Sequence, residues 1–515
     1  MVLPGAFSKS VSFKYARKWI SENFQKVFVL EIDGDARTNE FSNSVFPVLQ
    51  GRLVLFAIRK EESRHSFELF HKDITNLNLV EKKNFLKREL ESLDLPRISF
   101  SDQSYLFSPT NKYPEDEWNK YWPLVETKSN QGIFRQKCSA VKLAPSAMLF
   151  HTSSQILQRR SIELGGKVPK SSLGVDMIRK WFKGQRRPPS EKKLTREVKS
   201  ALLKSAKEKY ISKYHFRPFS EGWVLNSDEL FTALSSAPGG GTRARPEIRQ
   251  AFASEAIGIS VAPSPPDLGS TLTRFACFSW SLPDNDIAAR GNAMVYCNHF
   301  PLKDEGGNLK IASNINSDLS KHFDFLGDGS SFFLFYAYAL LCSPSYLETF
   351  EGALYRHSDP SSPIRIPISN NEKLRENVSL LGKEIALCEK TEHKIKSPKK
   401  YPHDNLKELE DFNLIKHEYD ETCETLSLCN DRGGTFKIES VSNDVYGLKI
   451  SGHSVIAKWL RERTLPYLRR TFKKDDLDAL METLNRIKTQ QQLIADVDCL
   501  VEEIISSRDL IFPLS

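Results

Sequence analysis

Within the first 75 residues, one helix-like run and three strand-like runs follow one another with no glycine-rich turn between them. That order restricts the N-terminal part of the chain to a sheet flanked by helix. VSFKYARKWISENF (11–24) sets Val11, Tyr15, Trp19 and Ile20 at helical spacing. KVFVLEID (26–33) and RLVLFAIRK (52–60) are short buried-strand runs, and SFELFHKDI (66–74) alternates apolar and polar residues as a third. The succession predicts an α/β arrangement of the doubly wound kind. It is too short for a complete nucleotide-binding domain. No Gly-x-Gly-x-x-Gly turn and no downstream acid to hold a ribose accompany it.

A chain of 515 residues with 40% hydrophobic content buries more than one core, so about two to four domains are expected. The net charge is only +8, but it is unevenly placed. Between Arg159 and Arg217 there are 18 Lys and Arg against five acids, which leaves the rest of the chain slightly acidic. A basic island on a near-neutral chain points to contact with a polyanion, because phosphate neutralisation drives sequence-independent affinity. The competing reading is a set of solvated helix faces. Within the island, Arg186 and Arg187 precede two prolines, Lys192, Lys193 and Arg196 follow them, and Arg217 closes the run, where it reads either as a buried structural arginine or as a phosphate contact. Trp181, Phe182, Tyr210, Tyr214 and Phe216 are interleaved with the charges; such aromatics either stack on bases or bury one helix face. Downstream, SSAPGGGTRARPEIR (235–249) is a glycine-rich loop bearing Arg243, Arg245 and Arg249. No Gly-Lys-Ser/Thr follows it, so it is not a Walker loop, and its arginines are candidates for phosphate or for guanine O6 and N7. These nine cations are the candidate DNA-binding set.

Other chemistries find little support. Eight cysteines include no Cys-x-x-Cys pair, and no His cluster has zinc-finger spacing, so free thiols in a reducing cytoplasm are expected and no metal site. Asp284 and Asp286 (PDND) lack the Glu-x-Lys partner a metal nuclease requires. His215, His299 and His453 sit in patterned segments and read as packed or hydrogen-bonded. The longest aromatic-rich stretch, 331–347, is too short and too polar to span a bilayer.

Along the chain, LVEKKNFLKRELESL (79–93) predicts an amphipathic helix, 226–310 an irregular β-rich region, and 318–390 helices. Residues 391–430, rich in Lys and Glu, predict an exposed linker or loose helical insert. Two short strands and a helix follow, then a charged closing helix over roughly 473–506. The domain boundaries drawn from this are 1–130, 131–310, 311–390 and 391–515, with an α+β character overall.

Several of these stretches, in order, resemble the C-terminal portion of type ISP restriction-modification enzymes, single bacterial chains that join helicase, adenine methyltransferase and DNA-specificity modules. VLPGAFSKSVSFKYARKWISENF, then GDARTNE (34–40) and VFPVLQGRLVLFAIRK, resemble the rear of the methyltransferase fold. YHFRPFSEGWVL (214–225), with Arg217, Pro218 and Phe219 in register, resembles a Tyr-Arg-Pro-Phe segment. CNHFPL (297–302) is similar to a Phe-Pro-Leu strand end. The PIRIPIS element around Arg365, LLGKEIALCE (380–389) and YGLKISGHSVIAKWLRER (446–463) resemble later parts of the specificity region. The resemblance implies double-stranded DNA as a partner, together with a methyltransferase or helicase subunit. The adenine-gripping Asn-Pro-Pro-Tyr or Asp-Pro-Pro-Tyr tetrapeptide is absent. The resemblance therefore implies that no catalytic or cofactor-binding residue lies in this chain, and that S-adenosylmethionine is held by a partner or a missing N-terminal half. Two alternatives stand beside it: a truncated or split piece of an adenine methyltransferase, and an interaction scaffold that does not bind DNA.

Overall fold

The structure is a computed structural model that describes residues 1–33, 44–46, 51–59, 67–88, 95–100, 105–109, 115–125, 132–166, 173–185, 189–238, 241–262, 273–287, 291–304, 306–317, 319, 329–355, 357 and 362–513. The chain divides into two compact units, Met1–Asn119 with Glu348–Ile364, and Lys120–Leu347 with Arg365–Ser515.

The first unit is built on a five-stranded sheet of β1 (Val2–Pro4), β2 (Lys26–Asp33), β3 (Arg52–Ile58), β4 (Glu68–Asp73) and β5 (Arg97–Ile98), in the order β1-β3-β2-β4-β5. Only β2 and β4 run parallel, so the expected α/β class holds as a mixed sheet. Strand alternation divides its apolar residues between two faces. Val27, Val29, Leu53, Leu55 and Leu69 meet Phe7, Ile20 and Phe107 on one face. On the other, Leu30 and Ile32 meet Ile74 and Phe85. Phe85 lies on α2 (Leu79–Leu86), which opens with a reciprocal capping box between Asn78 and Glu81. The last part of the helix expected over 79–93 lies partly outside the described residues.

The helix expected over 11–24 forms as α1 (Lys14–Asn23), but its inner face is not the expected one. Tyr15 and Trp19 are 83% and 58% exposed, whereas Arg17 and Ile20 are buried; the side chain of Val11 lies outside the described residues. The reason is polar. The Arg17 guanidinium donates to the carbonyls of Phe7 (2.6 Å), Ser10 (2.8 Å) and Tyr105, and burial lowers its pKa to about 10. Interior carbonyls that need a donor select the face, and the aromatic stripe is left to solvent.

The second unit holds two four-stranded sheets and a helical layer. One sheet runs Leu282–Pro283, Ile211–Arg217, Ser220–Leu225, Phe150–His151; the other runs Ala276–Ser279, Gly258–Val261, Met294–Cys297, Cys138–Ser139. The helices Gly329–Cys342, Glu372–Glu389 and Lys474–Ser506 pack against one another. The first of them is apolar nearly all round and correspondingly buried. The closing helix agrees with its sequence expectation and buries a stripe of Leu477, Leu480, Leu484, Ile487, Ile494, Val497, Val501 and Ile504.

Residues 391–430 correct the expected linker or helical insert. The strands Leu414–Asp420 and Thr425–Asn430 form a hairpin that Thr435–Ile438 extends. Leu414, Leu426, Leu428, Phe436 and Ile438 are buried. The charged residues alternate with them on the open face, so a composition that reads as solvated is a strand with one wet side. Among the described residues no helix is long and apolar enough to cross a membrane.

Candidate nucleic-acid interface

The chain at Val141–Ala144 ties three remote segments together. Val141 donates its N–H to the Pro283 carbonyl (3.2 Å) and accepts from the Asn285 N–H (2.6 Å). One residue on, Lys142 and Arg243 exchange backbone hydrogen bonds of 3.2 and 2.9 Å. The Ala144 carbonyl then accepts from the Thr242 hydroxyl (2.9 Å) and from Lys193 Nζ (3.4 Å). Lys142, Lys193 and Arg243, far apart in sequence, thus converge on one surface. Arg243 is exposed; Lys142 and Lys193 are half-buried, and desolvation holds the Lys193 ammonium below its ordinary pKa. Lys192 is exposed beside Lys193, and Arg196 is exposed at the start of the helix Arg196–Ser205, whose first turn Thr195 caps.

The remaining candidates divide differently. Arg217 is buried: Nη1 donates to Asp284 Oδ1 (3.2 Å) and to the Phe216 carbonyl (2.5 Å), and the guanidinium lies 3.9 Å from the Phe216 ring centroid. Asp284 also accepts from the Tyr214 hydroxyl (2.6 Å) and from the Asp286 N–H (2.6 Å). Burial pushes its carboxyl pKa up to about 6 in spite of the arginine. Arg249 is also buried, over the Phe231 ring, with Nε on Asn226 Oδ1 (2.6 Å) and Nη1 on the Asp228 carboxylate. For Arg217 the buried structural reading holds, and its place in the DNA-binding set is corrected. For Arg249 the expected place on a DNA-facing loop is corrected to the interior, because its guanidinium is drawn to Asp228 as that of Arg217 is to Asp284. Arg245 is half-buried with left-handed backbone (φ 47°) directly before Pro246. Arg186 and Arg187 lie outside the described residues.

The basic island is partly neutralised from within. Glu163 accepts from Arg159 (3.0 Å), Lys180 (2.6 Å) and the Trp181 indole (2.9 Å), while Lys204 and Lys213 pair with Glu229 and Glu392. Trp181, Phe182, Tyr214 and Phe216 are core residues and Tyr210 is half-buried, so packing is the role the fold gives these aromatics. Among the described residues of the island, Arg179, Lys183, Lys192, Arg196, Lys207 and Lys209 stay exposed outside these pairs. Sequence reasoning missed Lys142, which sits in an unremarkable KCSAVKLAPS stretch; its significance comes from an isolated backbone bridge to Arg243, about a hundred residues away. Of the histidines, His215 and His453 are buried, and His453 Nε2 bonds the Asp286 carbonyl (2.8 Å). Arg365 Nη1 donates to the Tyr121 carbonyl (2.8 Å) where its strand pairs with Trp122–Pro123. Among the described residues, no group of His, Cys, Asp and Glu is arranged to hold a metal ion.

Exposed cations presented by a packed α/β body define a module whose surface suits a polyanion. The Type ISP C-terminal specificity domain model matches residues 133–495, and the chain belongs to that family. Solved structures share the fold. An ATP-dependent Type ISP restriction-modification enzyme, LlaBIII, bound to DNA, superposes with a TM-score of 0.62 at 13% identity, over 97% of this chain and 32% of that one. A nuclease-deletion mutant of the Type ISP enzyme LlaGI, in complex with a DNA substrate mimic, gives 0.60 at 14% identity over 99% and 39%. A DrdV–DNA complex gives 0.63 at 17% identity over 98% and 50%. The chain therefore spans between about a third and a half of the length of these proteins. No curated protein sequence matches it.

Proposed function

We propose that this chain is the DNA-binding target-recognition component of a bacterial adenine methylation or restriction system, acting in the cytoplasm. The observation that carries the reading is the convergence of Lys142, Lys193 and Arg243 inside the segment matched by the specificity-domain model. That fold neighbours were solved with DNA supports it. In this reading Lys142, Lys192, Lys193, Arg196 and Arg243 lie along duplex phosphates, with Arg186 and Arg187 as further candidates, and fix the register of the body on the DNA. Methyl transfer needs a cofactor beside an extruded base and a polar group on the adenine amine. The 515 residues contain neither a glycine-rich cofactor loop nor the adenine-gripping tetrapeptide. S-adenosylmethionine and the catalytic residues therefore lie, in our reading, outside these 515 residues, in a methyltransferase or helicase partner or in a missing N-terminal half.

Titration of a labelled random-sequence duplex by anisotropy at rising salt tests the first half. The expected result is tight binding in dilute salt that weakens steeply, with log K falling by about 0.9 per phosphate contact for each decade of salt. Absence of binding in dilute buffer would remove the DNA reading. Methyl transfer by this chain with its partner, and not by the chain alone, is the expected outcome for the second half; labelling by the chain alone would overturn it.

A further inference from the structure

We propose that Asp286 is a base-reading residue that accepts a hydrogen bond from an exocyclic amino group, cytosine N4 or adenine N6, in the major groove. The inference rests on the DNA-binding reading above and adds a position at which sequence is read. The turn Asn285–Ile287 is clamped through its main chain: the Asn285 N–H donates to the Val141 carbonyl (2.6 Å), the Asp286 N–H to Asp284 Oδ1 (2.6 Å), and the Asp286 carbonyl bonds His453 Nε2 (2.8 Å). Yet the Asp286 side chain is 57% exposed. Arg217 does not require it, because the buried Asp284 already pairs with that guanidinium at 3.2 Å and Asp286 Oδ2 stands off at 3.9 Å.

The position is electrostatically unusual. Val141 pairs with Asp284 and its neighbour Lys142 pairs with Arg243, so the turn that carries Asp286 is bonded to the segment that carries Lys142. His453, bonded to the Asp286 carbonyl, lies in the field of Arg217, Lys458 and Arg461, further cations around the same turn. An exposed carboxylate there weakens phosphate binding through like-charge repulsion, which a surface devoted only to backbone contact would avoid. An ionised carboxylate only accepts hydrogen bonds. The groove-edge groups it can pair with are therefore the amino groups of cytosine and adenine, whereas guanine O6 and thymine O4 repel it. Room for the side chain comes from Gly291 (φ +71°): a Cβ there would stand 2.9 Å from Asn285 Nδ2 and 3.1 Å from Asp286 Oδ1.

Selection of bound duplexes from a randomised pool, with the full chain and with Asp286→Asn, tests this; Asp475→Asn, an exposed acid on the closing helix, controls for charge alone. The expected result is a motif containing one position where the wild type prefers cytosine or adenine, and where Asp286→Asn shifts that preference by about fivefold or more, away from cytosine or further toward adenine, whose N6 and N7 an amide pairs together, while the other positions are kept. Asp475→Asn should keep the whole motif. Identical motifs for wild type and Asp286→Asn, or no motif for the wild type despite salt-dependent binding, would overturn the assignment and leave the DNA-binding reading standing. No binding by the wild type at all would overturn both. Unchanged melting of Asp286→Asn, expected for an exposed side chain, ties any loss to readout; a lowered melting temperature with the motif intact would instead assign the residue to the fold.

Discussion

Buried histidines set how this protein responds to acid. His151 accepts the Ser153 N–H on Nδ1 (2.9 Å) and bonds the Tyr467 carbonyl through Nε2 (3.2 Å), and burial pulls its pKa down to about 3. Burial lowers His215 and His453 as well, so all three are neutral in the fold. A base whose folded pKa lies below its unfolded value near 6.5 leaves the unfolded chain binding the extra proton, so stability falls as pH drops below about 6.5. Asp284 works the other way. Raised to about 6, it takes its proton first in the fold and adds stability as pH falls through 6 toward 4. Glu389, raised by burial as Asp284 is, acts with it, while burial lowers His417 as it does the other three. Two carboxyls oppose four imidazoles, so the net expectation is a melting temperature that declines from pH 7 to pH 5. A flat or rising profile would contradict this accounting. At this scale the sequence was only partly legible: Arg217, Arg243 and Arg249 look alike in local context. What separates them is a partner, Asp284 lying 67 residues beyond Arg217 in one case and Asp228 lying 21 residues before Arg249 in another.

Elements were more legible where a period ran long enough to decide. The closing helix repeats its apolar residues over 33 positions, and β2 and β3 are short apolar runs. The Leu414–Asp420 and Thr425–Asn430 hairpin was hidden because only one face carries large apolar residues and the other is charged. The face of α1 was hidden because polar demand outranked hydrophobicity. Helix Glu372–Glu389 offers a sharp test of packing at this scale. A Cβ on Gly382 would fall 2.1 Å from the Phe335 carbonyl oxygen, where this helix crosses Gly329–Cys342. Backbone cannot yield as a side-chain tip can, so Gly382→Ala should destabilise by about 1–3 kcal/mol or more in denaturant unfolding. Leu380→Ala, on the same helix but 60% exposed, should stay within about 0.5 kcal/mol. Equal effects would place the close approach elsewhere.

For the molecule as a whole, charge counting marks a region whose cations the fold treats unequally. The island between Arg159 and Arg217 does contribute Lys192, Lys193 and Arg196, but several of its cations are neutralised by Glu163, Glu229 and Glu392. The surface that remains is assembled by non-local strand pairing, which brings in Lys142 and Arg243 from outside the island. A one-dimensional count cannot register that. Lys142→Glu, Lys192→Glu and Arg243→Glu in one protein reverse three cations of this surface without touching the buried pairs, and circular dichroism melting would verify the fold. The decisive measurement is the salt dependence of duplex affinity for this triple variant beside the wild type. The expected result is markedly weaker binding to every sequence, with a slope of log K against log salt shallower by about two to three. The same affinity and the same slope in a folded triple variant would contradict the account.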